Sequence, residues 1–472
     1  MTSLDDRRRL VPVLIYLGTV VAVVSSLGAP LVPTIARETH VSLADAQWSL
    51  TITMLVGAVA TPAMGRLGDG RHRRSVVLGA LALVVLGCVL AALPLAFGYL
   101  LAGRALMGLG LGLTPLCMAT ARDLLRGERA HRTVALLSIT TVAGIGLGYP
   151  VTGLVAQHLS LRAAFWAGAA LAAVALVAAA LAVPSTKDRP PARLDIAGAV
   201  LLGAGLAGLL VVLSELAAWS TGRLVGLAAG SVMLLVWWVL HELRTARPLV
   251  DLRLVRDRTV LTADLTGLFA GVGMYILISL VIRYVQTPAS TGYGFGGSAV
   301  VAGLVLVPFS AMSVTASRLA PLVSRRFGQR AVLPLGCVIL IAAELLFALD
   351  RGGLWQVCLA LGLAGLGVGC TFAALPGLIV AAVPAHETGS AMSFNQVLRY
   401  VGYSTGSALS ATVLEAHPGV GSPFPADSGY TVAALIGVGV LVFALILCTV
   451  LPARRAAATP VEVPTELTVA VD

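Results

Sequence analysis

About fourteen apolar runs, each close to the length that crosses a bilayer, are separated by short links that hold nearly all the charge of this chain. A helix rises 1.5 Å per residue, so a hydrocarbon core of about 30 Å takes about 20 apolar residues. Inside such a core every backbone N–H and C=O must find its partner within the protein, which restricts spanning segments to helices or closed barrels. Runs of this length predict an all-α integral membrane protein. They lie near residues 11–35, 46–65, 75–95, 98–121, 133–156, 163–183, 195–214, 223–241, 259–282, 298–317, 331–349, 354–382, 390–413 and 429–451. Hydrophobic residues make up 58% of the chain and charged residues 11%, against about a quarter charged in soluble domains.

The distribution of charge predicts orientation. The net charge of +10 sits in short clusters such as "GRLGDGRHRR" (65–74) and "SRLAPLVSRRFGQR" (317–330), not in a patch suited to nucleic acid. Cytoplasmic links carry the excess of arginine and lysine, and alternate links here do so, which predicts that both termini are cytoplasmic in a cell (inner or plasma) membrane. The first apolar run, of roughly 25 residues, exceeds the 7 to 15 of a signal-peptide core and is expected to stay in the membrane. The six cysteines (Cys88, Cys117, Cys337, Cys358, Cys370, Cys448) lie within apolar runs at spacings that match neither a zinc site nor a disulfide framework, and read as packing residues.

A weak repeat relates the link after the second run to the link after the tenth, Leu67 matching Leu322 and Asp69 matching Ser324. Parallel six-span repeats are a transporter plan. The expected organisation is a six-helix bundle over 1–183, a linker with two extra spans over 184–253, a second bundle over 254–451 and a flexible cytoplasmic tail over 452–472.

The link 65–74 resembles the loop 2-3 signature of the major facilitator superfamily, G-x-L-x-D-x-x-G-R-[RK]. Gly65, Leu67, Asp69, Arg73 and Arg74 are in register, and His72 stands where the family prefers glycine. "GRALMGLGLG" is similar to the span 4 signature, with Arg104 as its arginine, Gly108 as its glycine and Met107 in place of glutamine. "AGIGLGYPVTG" resembles the span 5 antiporter signature through Gly144, Gly148, Pro150 and Gly153, with Tyr149 inserted and Leu154 replacing the last glycine. "HELRTARPLVDLRLVRDR" and "SAMSFNQVLRYVGYSTG" resemble stretches of the 14-span drug:proton antiporter branch. The acid often found in span 1 of that branch is replaced here by Val24, and its asparagine by Ala29.

This resemblance implies a major facilitator fold, two six-helix bundles plus two central helices. It also implies secondary active transport by alternating access, with protons as coupling ion and small amphipathic organic compounds, drugs or secondary metabolites, as exported substrates. Gly65, Arg66, Asp69 and Arg73 would form a gate against the start of span 13, near Gly389 to Ser393. Asp69 contributes little to topology, whereas the arginines also serve as a plain positive-inside stop.

Charges inside membrane spans are functional candidates by default. Arg104, Asp264, Glu344 and Arg399 are assigned to a proton or substrate relay. The structural alternatives are an Arg104 that snorkels to the outer interface, an Asp264 that reaches water and a Glu344 paired in a peripheral span. Gly144, Gly148, Pro150 and Gly153 are assigned to a hinge, the alternative being close helix packing. No P-loop, H-E-x-x-H, G-x-S-x-G or metal-ligand cluster is present, so no enzyme activity, cofactor or metal is expected. A monomer surrounded by lipid is expected. An importer or narrow-specificity permease of the same fold, or a sensor or scaffold that moves nothing, are the rival readings.

Overall fold

In the computed structural model the long apolar runs are helical, and a single bridge between Pro418 and Pro425 is the one strand-like pairing among the described residues. The structure describes residues 4–27, 31–41, 43–68, 70–125, 127–184, 194–215, 219–246, 248–328, 331–384, 387–419 and 424–450.

The first half comprises α1 (Leu4–Ser26), a short α2 (Val32–Thr39), α3 (Leu43–Gly68), α4 (Arg73–Ala92), α5 (Phe97–Gly108), α6 (Leu113–Leu124), α7 (Gly127–His158) and α8 (Leu161–Ala182). Between α5 and α6 the backbone tightens into a 3-10 turn over Leu109–Gly112. Pro115 explains the break: it offers no N–H to the carbonyl of Leu111, and its ring crowds that carbonyl. A hairpin of α9 (Ile196–Ser214) and α10 (Thr221–Arg244) follows. The second half comprises α11 (Arg258–Gln286), α12 (Ala299–Leu304), α13 (Val307–Phe327), α14 (Val332–Leu349), α15 (Leu354–Ala382), α16 (Thr388–Glu415) and α17 (Asp427–Val450). The line of α12 and α13 bends by 45° near residue 317, four residues before Pro321, where a proline removes the helical hydrogen bond.

The packing order repeats between halves. In the first, α1 packs on α7 and α8, α4 on α8 and α5, and α3 on α5. In the second, α11 packs on α16 and α17, α14 on α17 and α15, and α13 on α15. The halves meet along two seams that this repeat relates, α3 against α16 and α13 with α15 against α7. Buried Ile139 of α7 packs with Ala316, Ala320, Cys370 and Ala373 in the second seam.

The hairpin covers the first seam. Leu202, Leu206 and Trp238 pack with Leu249, Val250 and Val397 of α16, with Ala63 of α3 alongside. Its arginine-rich end is tied by Asp195, which caps α9 at Gly198 N (3.0 Å) and meets His241 Nε2 at 2.8 Å. The Trp238 indole N–H donates to Glu242 Oε1 at 2.8 Å.

Among the described residues ten helices are long and apolar enough to cross a membrane, eleven if the bent α12 and α13 count as one span. Exposed Leu181, Val232, Trp237 and Ile446 face outward from such spans, as lipid contact requires. α1, α7 and α16, of 23, 32 and 28 residues, fall outside that measure. α1 enters only as the shorter apolar stretch Leu10–Ser25, and the count covers the described residues alone, so fourteen spans rest on the sequence. Cys88, Cys117, Cys337 and Cys370 are buried and all six cysteines are free.

Candidate functional site

At the arginine-rich end, bonds cross from one half to the other. Arg66, in the last turn of α3, meets both carboxylate oxygens of Glu387 at 2.8 Å. Glu387 is the N-cap of α16, so each charge also answers the partial charge of its own helix end. Arg122 of α6 donates to Val380 O at 2.9 Å, to Val383 O at 3.2 Å and to the Thr388 hydroxyl. Val380 and Val383 end α15, where carbonyls have no partner within the helix. A guanidinium fork fills several such acceptors at once.

Gly65 makes the α3–α16 contact possible. A Cβ there would stand 2.0 Å from Ser393 Oγ and 2.8 Å from Gly389 O, so only glycine lets the helices approach this closely. The meeting of this motif with residues 389–393 is where the sequence placed a gate. Asp69, the residue expected to make it, lies outside the described residues. Arg73 is 2% exposed and works within its own half, donating to Gly68 O at 2.6 Å and pairing with Asp123 at 2.5 Å. Ser390 donates to Leu249 O at 2.8 Å, and Phe394 lies 6.1 Å from Trp238, which couples the hairpin to the same start of α16.

Deeper along the seams, α16 presents a polar stripe. Asn395 donates to Asp264 Oδ1 at 3.0 Å. One turn on, the Arg399 guanidinium reaches Ser138 Oγ of α7 at 3.3 Å, donates to Gln396 and lies 4.7 Å from the centre of the Phe372 ring. Arg399 thus touches both halves. Tyr403 stacks on Tyr275 with centroids 4.6 Å apart, and Tyr400 meets Tyr403 edge-on at 6.0 Å.

The remaining sequence candidates separate. Arg104 is fully buried at 0% exposure, its Nε donates to Ser49 O at 2.9 Å, and its own carbonyl accepts from Thr53 at 3.1 Å. It knits α5 to α3. Asp264, 3% exposed, does not reach water. Glu344, 1% exposed, lies between α14 and α17, where a Cβ on Gly437 would come within 2.6 Å of its Oε1, away from the α16 stripe. Gly144 and Gly148 are buried in α7, and a Cβ at Gly144 would meet Ala22 Cβ of α1 at 2.1 Å. Close packing accounts for Gly144. α7 runs as one helix through Pro150 and Gly153, whose surroundings lie outside the described residues.

Beside Arg122 a cleft of about 370 Å³ opens between the start of α7 and the end of α13. Arg132, Arg318, Arg325, His131 and Glu128 line it, together with Ser324, the repeat counterpart of Asp69.

A repeated pair of bundles, an inter-half latch at the loop 2-3 motif and a polar stripe at the seam form one pattern, and the family model of the Major Facilitator Superfamily matches residues 14–407. The chain belongs to the Major Facilitator Superfamily. As a member it is a multi-pass membrane protein and a secondary transporter. It is 28% identical over 423 residues to the tetracenomycin C resistance and export protein of Streptomyces glaucescens, covering 86% of this chain and 75% of that one. It is 25% identical over 407 residues to the multidrug efflux pump LfrA of Mycolicibacterium smegmatis, covering 84% and 78%. It spans 59% of the length of a Mycobacterium tuberculosis relative described as an uncharacterized MFS-type transporter. The fold resembles the crystal structure of the human organic anion transporter MFSD10, with TM-score 0.64 and 20% identity over 93% of this chain and 99% of that one.

The sequence reading missed Arg122, Glu387, Ser138, Asn395 and Gln396. For α16 a signal existed: Asn395, Gln396, Arg399, Tyr400 and Tyr403 recur at helical spacing within an apolar run. Arg122 and Glu387 lie in links between apolar runs, with no local pattern that names a partner.

Proposed function

We propose that this transporter exports small amphipathic organic compounds in exchange for protons, the arginine-rich end facing the cytoplasm. The observation that supports it best is the pairing of Asp264 with Asn395 one turn from Arg399, on the helix whose start carries the latch partner Glu387. A carboxylate that gains or loses a proton there changes the charge beside the seam, and α16 carries that change to the latch.

In this reading Arg66, Glu387, Arg122 and the Gly65 contact close the cytoplasmic side. Protonation of Asp264 weakens its hold on Asn395 and frees α16 to shift, and deprotonation restores it. The drug-resistance and export relatives support the outward direction, and the arginine distribution supports the orientation. With no nucleotide motif in the sequence, the driving force is an ion gradient, about 2.3 kcal/mol per charge across 100 mV.

The test is proton movement in energised everted vesicles challenged with a panel of drugs. Substrate-induced proton release that disappears in Asp264→Asn supports the reading. Release that persists unchanged in that variant removes Asp264 from the coupling, and substrate flux toward the cytoplasm makes the chain an importer.

A further inference from the structure

A buried cation within a membrane protein is costly unless charge or dipole answers it. Arg399 is 2% exposed, and among the described residues no carboxylate oxygen lies within 4.0 Å of it. Its Nε and the Tyr403 hydroxyl have no hydrogen-bond partner, and the Gln396 amide nitrogen and the Tyr400 hydroxyl have none beyond each other. Two of these four groups are donors only, and the hydroxyls can donate. The nearby acid Asp264 is engaged by Asn395. Around this excess of donors stand flat rings, Phe372 under the guanidinium and Tyr275 stacked on Tyr403.

The cleft described above carries the same sign. Arg122, Arg132, Arg318 and Arg325 line it, with Glu128 as the one carboxylate among the described residues. Among the described residues Arg132, Arg318 and Arg325 form no ion pair. Two of its wall helices also carry partners of the stripe. Ala135, on the cleft, is one turn of α7 before Ser138, and Ala373, also on the cleft, is next to Phe372. Ser138 and Phe372 are two of the groups that hold Arg399, so α7 and α15 line the cleft and also carry contacts of the buried guanidinium.

We propose that the substrate is an organic anion carried on a flat aromatic body, drawn from the cytoplasm into the cleft by its arginines and held at the seam by Arg399. This rests on the export reading above. A cleft dominated by one sign of charge concentrates ligands of the opposite sign and slows the approach of cations. A desolvated guanidinium forms strong charge-assisted hydrogen bonds to a carboxylate or sulfonate, and Tyr400, Tyr403 and Gln396 supply further donors. The aromatic walls accept the body by stacking.

Three probes on one skeleton decide the matter: naphthoate, its neutral amide naphthamide, and naphthylmethyl-trimethylammonium. Uptake into proteoliposomes is measured with the full chain under a proton gradient and membrane potential, and equilibrium binding of labelled naphthoate with the purified protein. We expect naphthoate to be favoured over the other two by about tenfold or more. Arg399→Gln removes that preference, and Arg399→Lys retains part of it. The double variant Arg318→Gln with Arg325→Gln raises KM for naphthoate and leaves kcat near its original value. Preference for the ammonium or the amide in the unaltered protein overturns the proposal, and so does the absence of both binding and transport of naphthoate. If naphthoate binds and none of the probes moves, the export reading fails and the anion site stands.

Discussion

Arg66 and Glu387 lie 2.8 Å apart across a separation of 321 residues, one closing α3 and the other opening α16. Both are 14% exposed, so the pair is partly shielded and contributes on the order of 1 kcal/mol. On the proposed gating, removing it should shift the protein toward the state in which this end is open. Glu387→Gln should raise the accessibility of a cysteine placed at Ser393 to a membrane-impermeant maleimide several-fold. The swap Arg66→Glu with Glu387→Arg should restore protection only in part, because each charge then opposes its helix dipole.

Arg122 is expected to matter more. Its fork fills two carbonyls at the end of α15 and the Thr388 hydroxyl, and Lys cannot reproduce that geometry. Both Arg122→Lys and Arg122→Gln should slow transport by about tenfold or more, since each orphaned acceptor costs on the order of 1 kcal/mol. Initial rates, normalised to inserted protein, measure this. Arg122→Lys with unaltered transport contradicts the assignment.

Asp264 should separate binding from coupling. Asp264→Asn keeps a group that can pair with Asn395 and fixes the neutral state. Substrate binding should change by less than about threefold, as for a retained neutral hydrogen bond, while proton release on substrate addition is lost. Isothermal binding and a pH-sensitive dye report the two quantities on one preparation.

At the far end Arg351 provides a contrast. It is 7% exposed, meets Asp427 at 2.8 Å, donates to Phe347 O, Ala348 O and Thr431, and lies 5.5 Å from the Tyr284 ring. Nearby, burial and the neighbouring Tyr430 and Asp427 push the Tyr293 phenol up to about 12, so it remains a neutral donor to Pro425 O. Arg351→Gln should cost on the order of 2 kcal/mol of stability through its orphaned partners, read as a lower melting temperature in detergent. The charge preference of transport should be unaffected.

The bundle plan was legible because each span must be apolar over a fixed length, and the 65–74 motif stood out because its glycine and arginines are close in sequence. Arg399 stood out as a charge deep in an apolar run. What could not be read were partners distant in sequence: Glu387 for Arg66, the ends of α15 for Arg122, Ser138 for Arg399. Such pairs are set by how two bundles dock, and no local pattern encodes that docking. Arg104 shows the opposite limit. Its place within an apolar run was legible, but its partner is the backbone carbonyl of Ser49, an acceptor every residue carries. The separation of Glu344 from the α16 stripe likewise follows from helix order, not from its depth in the run.

The most direct test of alternating access is the distance between spin labels at exposed Arg129 of α7 and exposed Arg326 of α13, on opposite sides of the cleft. In a background cleared of native cysteines, double electron–electron resonance should give one short population in Asp264-containing protein at high pH. A second, longer population should grow on acidification and be favoured at all pH values by Asp264→Asn. A single distance that responds to neither pH, substrate nor this substitution would contradict the account.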